Sequence, residues 1–555
     1  MELNHKTLLY LSILLATTGV SSLATAGTTN LVTYTPQQII GNAASSNPAL
    51  SRGGNAVVFE SDATNLIPVS TLTPNGDGNN ATDIFMRVGG RTLSRVSVNS
   101  LGQEAENSAF NWYAGGNFAD SVNASVTADG KLVVFESDAN NLDLLTTDSN
   151  ATGLETDVFI RDIAKKKTYR LSGVMDAADG NIQSGLLDVF LAPVSSTDAP
   201  WKITTEADDI SYSPVIVGTS KSSTVAFVSD STNLMSYLNP ALAFPITGNG
   251  NIYAMSLQTK KTELINAPHD PISGLPTAMG NGASNGAPSL SQDGRFVVFA
   301  SSDTNLLAGV TYSSGSDNIF IYDRKLFKMY QLSGATTIAG NGFTITTEGN
   351  DDSSNPSITG GGTGKNYLIA FESLATNMDT ISGGDAAATS DVFVVEFGPI
   401  TPKDANSAYE IKQSITGQPI RRISAPVDSV TGITTIQGSR RNGTLTANST
   451  VPIIAGTSAA YTVAFRSTAD NLITDTNNLY WNIDSNNATD IYVFSSKTKL
   501  FSRANVDANG QQGVSAANNP AIAPDAKGIA FDTTDQYLVP ASQLNGGNTQ
   551  IYLRK

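Results

Sequence analysis

The chain has 555 residues, a formal net charge of −16, two histidines and no cysteine. Lacking cysteine, it has no disulfide, thiolate metal site, cysteine nucleophile or lipid-bearing cysteine, so stability must come from a large apolar core. The acidity makes nucleic acid and anionic membrane surfaces poor partners and leaves cationic ligands or divalent metals, while solubility alone would also account for it.

The first 26 residues are expected to lie outside the fold. A short polar start with Lys6 leads into an apolar stretch from Leu8 to Val20, and Ala24-Thr25-Ala26 supplies the small-x-small pattern read by a signal peptidase. The apolar run is shorter than the ~20 residues a membrane span needs. Cleavage before Gly27 and export to the periplasm or cell surface are expected, with no membrane span in the mature chain and one domain over residues 27–555. Only His269 then remains of the two histidines, which excludes a multi-histidine zinc site and argues against a histidine-based triad.

Next comes Leu31 to Ile39, a strand-like run standing alone before a phrase that occurs seven times. Clear copies read NPALSRGGNAVVFESDATNL (Asn47 to Leu66), NASVTADGKLVVFESDANNL (Asn123 to Leu142) and APSLSQDGRFVVFASSDTNL (Ala287 to Leu306). Each carries an anchor phenylalanine: Phe59, Phe135, Phe227, Phe299, Phe371, Phe465 and Phe531. The first copy holds four strand-like runs, at Pro48 to Ser51, Ala56 to Ser61, Asp83 to Val88 and Thr92 to Val98. Alternating apolar and β-branched residues make the strands, and Gly-Gly or Asp-Gly pairs make the turns. Later copies repeat the third strand as DVF, NIY, NIF or DIY and the fourth as YRLS, YQLS or RRIS. A unit that cannot bury both its own faces must stack on its neighbours. The expected fold is all-β: a seven-bladed β-propeller of four-stranded antiparallel blades, in which the N-terminal strand Leu31 to Ile39 completes a last blade that stops at Gln550 to Lys555.

The repeat resembles the TolB-type propeller repeat, in which S-x-D-G precedes an apolar strand and then a D-I-Y or D-I-F strand. Here the pattern stands as SQDGRFVVFA (Ser291 to Ala300) with DNIF (Asp317 to Phe320), and as TADGKLVVFE (Thr127 to Glu136) with DVF. The resemblance implies a periplasmic or secreted scaffold that binds proteins, or a propeller that gates a peptidase. The chain is expected to lack both the N-terminal α/β domain of TolB and the hydrolase domain of the gated peptidases, so neither activity carries over.

Loop lengths separate the two faces of the ring. First-to-second strand turns are short (RGGN, ADGK, QDGR), whereas Ile67 to Thr82 and Gly173 to Ser213 are long, and antiparallel order puts the long connections on one side. That side is the candidate binding face. The long second-to-third connections carry acid and amide sets: Asp77, Asn79 and Asp83; Asp148, Asn150 and Asp157; Asp385 and Asp391; Asp484, Asn486 and Asp490. Two readings fit them, as oxygen ligands for Ca²⁺ or as turn chemistry in which an Asp opening a strand accepts loop N–H groups. A second set precedes the innermost strands. Asp120, Asp208, Asp209, Asp351 and Asp352 are expected on one rim of the channel, with Trp112 and Trp481 in the long-loop regions as stacking platforms. The G-x-S-x-G match at residues 282–286 lacks the strand and helix that motif requires and is read as spurious.

The leading functional reading is an exported, non-enzymatic scaffold that binds a protein or peptide through its long-loop face. The alternative is a secreted carboxylate-based propeller enzyme, hydrolase or lyase, acting on polysaccharide. A calcium-stabilised surface protein is the third. Fold alone does not choose among them.

Overall fold

The structure, a computed structural model, describes residues 27–67, 77–106, 119–144, 155–175, 203–235, 245–258, 261–284, 286–313, 315–339, 342–361, 365–378, 389–401, 407–412, 419–426, 447–473, 484, 486–540 and 547–555. The expected leader at 1–26 lies outside them, as do Asp148, Asn150, Asp385, Trp112 and Trp481. Among the described residues the only helical element is a single short turn at Arg52–Gly54, and no helix is long and apolar enough to cross a membrane.

The protein is a β-propeller, and the expectation of seven four-stranded blades is corrected. Among the described residues six sheets are four-stranded blades, not seven. The fifth copy of the repeat lies instead in a sheet of seven strands. There, the third strand of the repeat runs on to nine residues, Asp391–Pro399. Its first half pairs with Ile420–Arg422 through Phe393↔Arg422, and its second half pairs with Tyr409–Ile411 through Phe397↔Ile411. A hairpin of Ala335–Ala339 and Gly342–Thr347, inserted after the fourth copy, joins at Phe343↔Ile411. The extension follows from simple geometry. Strand Asp391–Pro399 outruns its fourth-strand partner, and the amides and carbonyls left over pair with inserted chain.

The ring is joined between its ends by Thr29–Leu31, which pairs antiparallel with Gln550–Arg554 (Leu31↔Tyr552). This strand starts earlier and is shorter than the expected Leu31 to Ile39. Pro36 has no amide to donate, and the chain turns at Thr35, where Gln38 N–H bonds Thr35 O at 2.9 Å and Gln38 takes a left-handed φ of 65°. The first strands of successive sheets touch one another around a closed circuit.

Strand periodicity explains why the sheets stack. In the first blade Val58, Ile84 and Met86 pack with Val126, Val133 and Phe135 of the second, while Val57, Phe59 and Phe85 turn the other way onto Ala530, Ile551 and Leu553 of the last. The second and third strands of these blades are buried on both faces, so each sheet needs two neighbours, and closing the ring supplies them. Anchor phenylalanines stack on the aromatic opposite them in the third strand, Phe59 on Phe85 and Phe135 on Phe159 at 5.9 Å between centroids.

Candidate functional site at the channel mouth

Among the described residues six innermost strands, all but Ser289–Leu290 of the fourth copy, have a bulge near their start. Register slips between Ser46 and Ala49, between Val122 and Ser125, and between Asn518 and Ala521. The bulged residues Asn47, Asn123, Ser213, Asn355, Val451 and Asn519 all take left-handed φ angles of 46–53°. Asparagine tolerates that conformation better than other side chains, and four of the six are asparagine. The bulge turns an amide out of the ladder and leaves it needing a partner.

For four of the six that partner is a carboxylate placed directly after the anchor phenylalanine of the preceding copy. Glu60 accepts the Asn123 amide at 2.7 Å, reaching from the first blade to the second. Glu136 accepts the Ser213 amide, Glu372 the Val451 amide, and Asp532 the Asn47 amide at 3.4 Å. The same acids hold the asparagine side chains of their own sheets. Asn47 Nδ2 donates to Glu60 at 2.9 Å, Asn123 to Glu136 at 2.8 Å, Asn355 to Glu372 at 2.9 Å and Asn519 to Asp532 at 2.7 Å. Burial pushes the Glu60, Glu136 and Asp532 carboxyls above the usual carboxylate range, and Glu60 also feels the charge of Glu136. The corresponding position is Val228, Ala300 and Arg466 in the other copies, so four acids face one arginine around the ring. In front of them Asn47, Asn123, Ser213, Ala287, Val451 and Asn519 line a cavity of about 290 Å³ at the centre of the ring.

This ring went unrecognised in the sequence reading, although its signal was there: Glu follows the anchor Phe in FES at Phe59, Phe135 and Phe371. The acids expected on the rim stand exposed or half-exposed just before innermost strands, and each accepts backbone amides. Asp120 accepts the Thr82 amide at 2.7 Å and Asp352 the Asp317 amide at 2.9 Å, each tying the start of an innermost strand to the preceding sheet. Asn448 does the same for Ser390 at 3.1 Å, so that position needs an acceptor and not a charge. Asp208 binds the Thr232 amide at 2.7 Å and the Thr232 hydroxyl, a grip that Asn281 on Thr304 and Asn350 on Thr376 reproduce with neutral side chains. Asp209 and Asp351 accept the amides of the residues that follow them, at 2.8 and 2.9 Å. The structure uses these five side chains as clasps and turn formers.

Asp138, beside Asp120, gives a pH prediction. Burial and the Asp120 charge push its carboxyl from 3.8 to about 6. A folded-state pKa above the unfolded one adds stability that is full below about 4 and lost as pH rises through about 6. Asp138→Asn is therefore expected to raise the melting temperature at pH 8 and leave it unchanged at pH 4; equal shifts at both would sink the assignment.

The acids opening the third strands meet arginines. Asp83 pairs with Arg95 at 3.1 Å, Asp157 with Arg170 at 3.1 Å, Asp391 with Arg422 at 3.6 Å and Asp490 with Arg503 at 2.7 Å. Where the opening residue is Asn251 or Asn318, the residue facing the third-strand aromatic is Leu264 or Gln331, so acid and base come and go together. Asn79 and Asn486 are used locally: their amide groups donate to Ala105 O and Gly513 O, and their carbonyls accept the Ala81 and Ala488 amides. In the first blade Glu104, absent from the expected ligand set, joins Asp77 and Asp83 with ligand oxygens within 4.8 Å of one another. Burial pushes the Asp77 carboxyl to about 6 and Asp83 to about 7, with Arg95 opposing in both.

No protein-family model matches the chain, and no curated protein matches it. Among solved structures it is similar to an oligogalacturonate lyase in complex with manganese, at 9% identity over 78% of this chain and 87% of the lyase, with a TM-score of 0.31. A putative TolB from Agrobacterium tumefaciens is 11% identical over 69% of this chain and 88% of its own, with a TM-score of 0.28. A Trypanosoma rangeli sialidase is 10% identical over 92% of this chain and 55% of its own, with a TM-score of 0.30. At these values no activity, ligand or residue role passes to this chain.

Proposed function

We propose that the protein is an exported, non-enzymatic propeller scaffold that holds a protein or peptide partner at its channel mouth, on the face of the long connections, by a basic side chain of that partner. One observation carries the reading: four carboxylates, Glu60, Glu136, Glu372 and Asp532, stand behind the asparagines of the channel wall against the single cation Arg466. Each asparagine spends its amide N–H on the acid behind it. A ligand therefore meets a negative field in a partly desolvated cleft, where opposite charge is focused. Export rests on the leader-like residues 1–26.

The test is titration of residues 27–555 with lysine-rich and glutamate-rich peptides of equal length. The lysine peptide should bind, weaken as salt rises, and bind the Glu60→Gln/Glu136→Gln variant at least about tenfold more weakly, a change of ~1.4 kcal/mol. Equal binding of both peptides would remove the reading without needing any variant. Release of oligosaccharide from a polysaccharide panel, abolished by the same substitutions, would replace it with the carboxylate-based enzyme.

A further inference from the structure

The first and sixth blades solve the same local problem with different residues. In the sixth, Asp484 and Asp490 stand six positions apart, Arg503 pairs with Asp490, and Gln512 lies nine residues beyond Arg503. Gln512 Nε2 donates to Asp484 Oδ1 at 3.0 Å and to Asp490 Oδ2 at 2.8 Å, so an amide N–H group bridges the two acids. In the first blade Asp77 and Asp83 are again six apart, Arg95 pairs with Asp83, and nine residues beyond Arg95 stands Glu104. A carboxylate has no N–H to give. The bridge is therefore lost and a third negative charge arrives in its place.

The consequence is visible at Asp77. Its side chain is 1% exposed, and neither carboxylate oxygen receives a hydrogen bond of normal geometry among the described residues. Its ion pair with Arg95 is long, 3.8 Å, because that guanidinium is shared with Asp83 and Glu104. Asp83 is better served, its other oxygen accepting the Ser97 hydroxyl at 2.6 Å. Glu104 accepts the Gly78 amide at 3.1 Å. Three carboxylates share one guanidinium, and two negative charges are left over. Leaving such groups buried and unmatched is costly.

We propose that blade one carries a divalent cation site formed by Asp77, Asp83 and Glu104, selective for Ca²⁺, with the ion supplying what the Gln512 amide supplies in blade six. The charge balances, two positive against the two left over. The donor set selects the ion: three protein carboxylates with ligand oxygens within 4.8 Å of one another suit Ca²⁺, which takes an all-oxygen protein shell readily, better than Mg²⁺, which dehydrates reluctantly and keeps several waters. Asn79, although it completes a D-x-N pattern in the sequence, has both ends of its amide engaged elsewhere and is not part of the set.

The repeat itself supplies the test variant. Glu104→Gln installs the blade-six arrangement, so it should fold and should be more stable than the metal-free parent. Calorimetric titration of chelator-treated residues 27–555 with CaCl₂, alongside MgCl₂, is expected to give one more equivalent of Ca²⁺ for the parent than for Glu104→Gln, with Mg²⁺ at least tenfold weaker. Added Ca²⁺ should also raise the parent's melting temperature more than the variant's. Equal calcium stoichiometry in the two chains would overturn the proposal. So would a parent that takes up no Ca²⁺ while Glu104→Gln still raises its stability, because the carboxylates would then be sharing a proton instead.

Discussion

Phe135→Ala is expected to cost roughly 3–5 kcal/mol of folding stability, read as a shift in the denaturant midpoint at unchanged slope. Phe135 is wholly buried, stacks on Phe159 at 5.9 Å, and packs against Val58, Ile84 and Met86 of the preceding blade. Its truncation removes contacts within one sheet and between two. The sheets on either side are held by the ring and cannot close in, so most of the vacated volume would persist as a cavity. A cost below about 1 kcal/mol would mean that the blades slide to fill it, and that the ring is softer than its packing indicates. The six equivalent phenylalanines should behave alike, since each stacks on the aromatic facing it in its own third strand, as Phe227 does on Tyr253 and Phe531 on Tyr552.

The second large effect belongs to the buried Asp–Arg pairs. Arg170 has a side chain 1% exposed and pairs with Asp157 at 3.1 Å beneath the Phe159 ring. Arg170→Leu strands the Asp157 carboxylate in the interior and is expected to cost about 3–5 kcal/mol at neutral pH. Asp157→Asn/Arg170→Leu should recover all but about 1 kcal/mol, because a buried pair stabilises little against a neutral replacement of similar volume. The molecule already contains that replacement, with Asn251 and Leu264 at the same two stations of the third copy. Failure of the double variant to recover would show that the arginine acts through contacts other than this aspartate. A smaller loss for Arg170→Leu at pH 4 than at pH 7 would confirm the stranded charge as the cause, since protonating Asp157 removes it.

The Asp–Arg stations also explain why acids in this chain are hard to read from their neighbours in sequence. Asp83, Asp157, Asp391 and Asp490 all open a third strand after an Asp/Asn-rich connection, which suits a metal loop and a turn equally well. Their arginines lie 12 to 31 residues later in the chain, and only strand pairing brings them together. Glu104 reaches Asp77 and Asp83 by the same route, through the return of the chain after the fourth strand. The rim acids differ again. Asp120 and Asp352 acquire their roles from amides of a neighbouring sheet, and no local pattern records which sheet that will be.

What the sequence determined by itself is the repeating unit: two-faced apolar strands, Asp-Gly and Gly-Gly turns, and an aromatic pair in each copy. These are local or period-two properties, and they compel the sheets to stack on each other and close into a ring. What only the tertiary structure decided is how many sheets remain four-stranded and which carboxylates are spoken for. Inserted segments at 335–347 and 409–411 widened one sheet to seven strands because its third strand outran its partner, a matter of pairing between distant segments. The carboxylates after the anchor phenylalanines became a channel ring because four bulged amides, each from the next sheet, arrive within hydrogen-bond reach of them. Hydrophobic periodicity is written along the chain, but partners for buried charge and unpaired amides come from across it, and only closure of the ring brings them together.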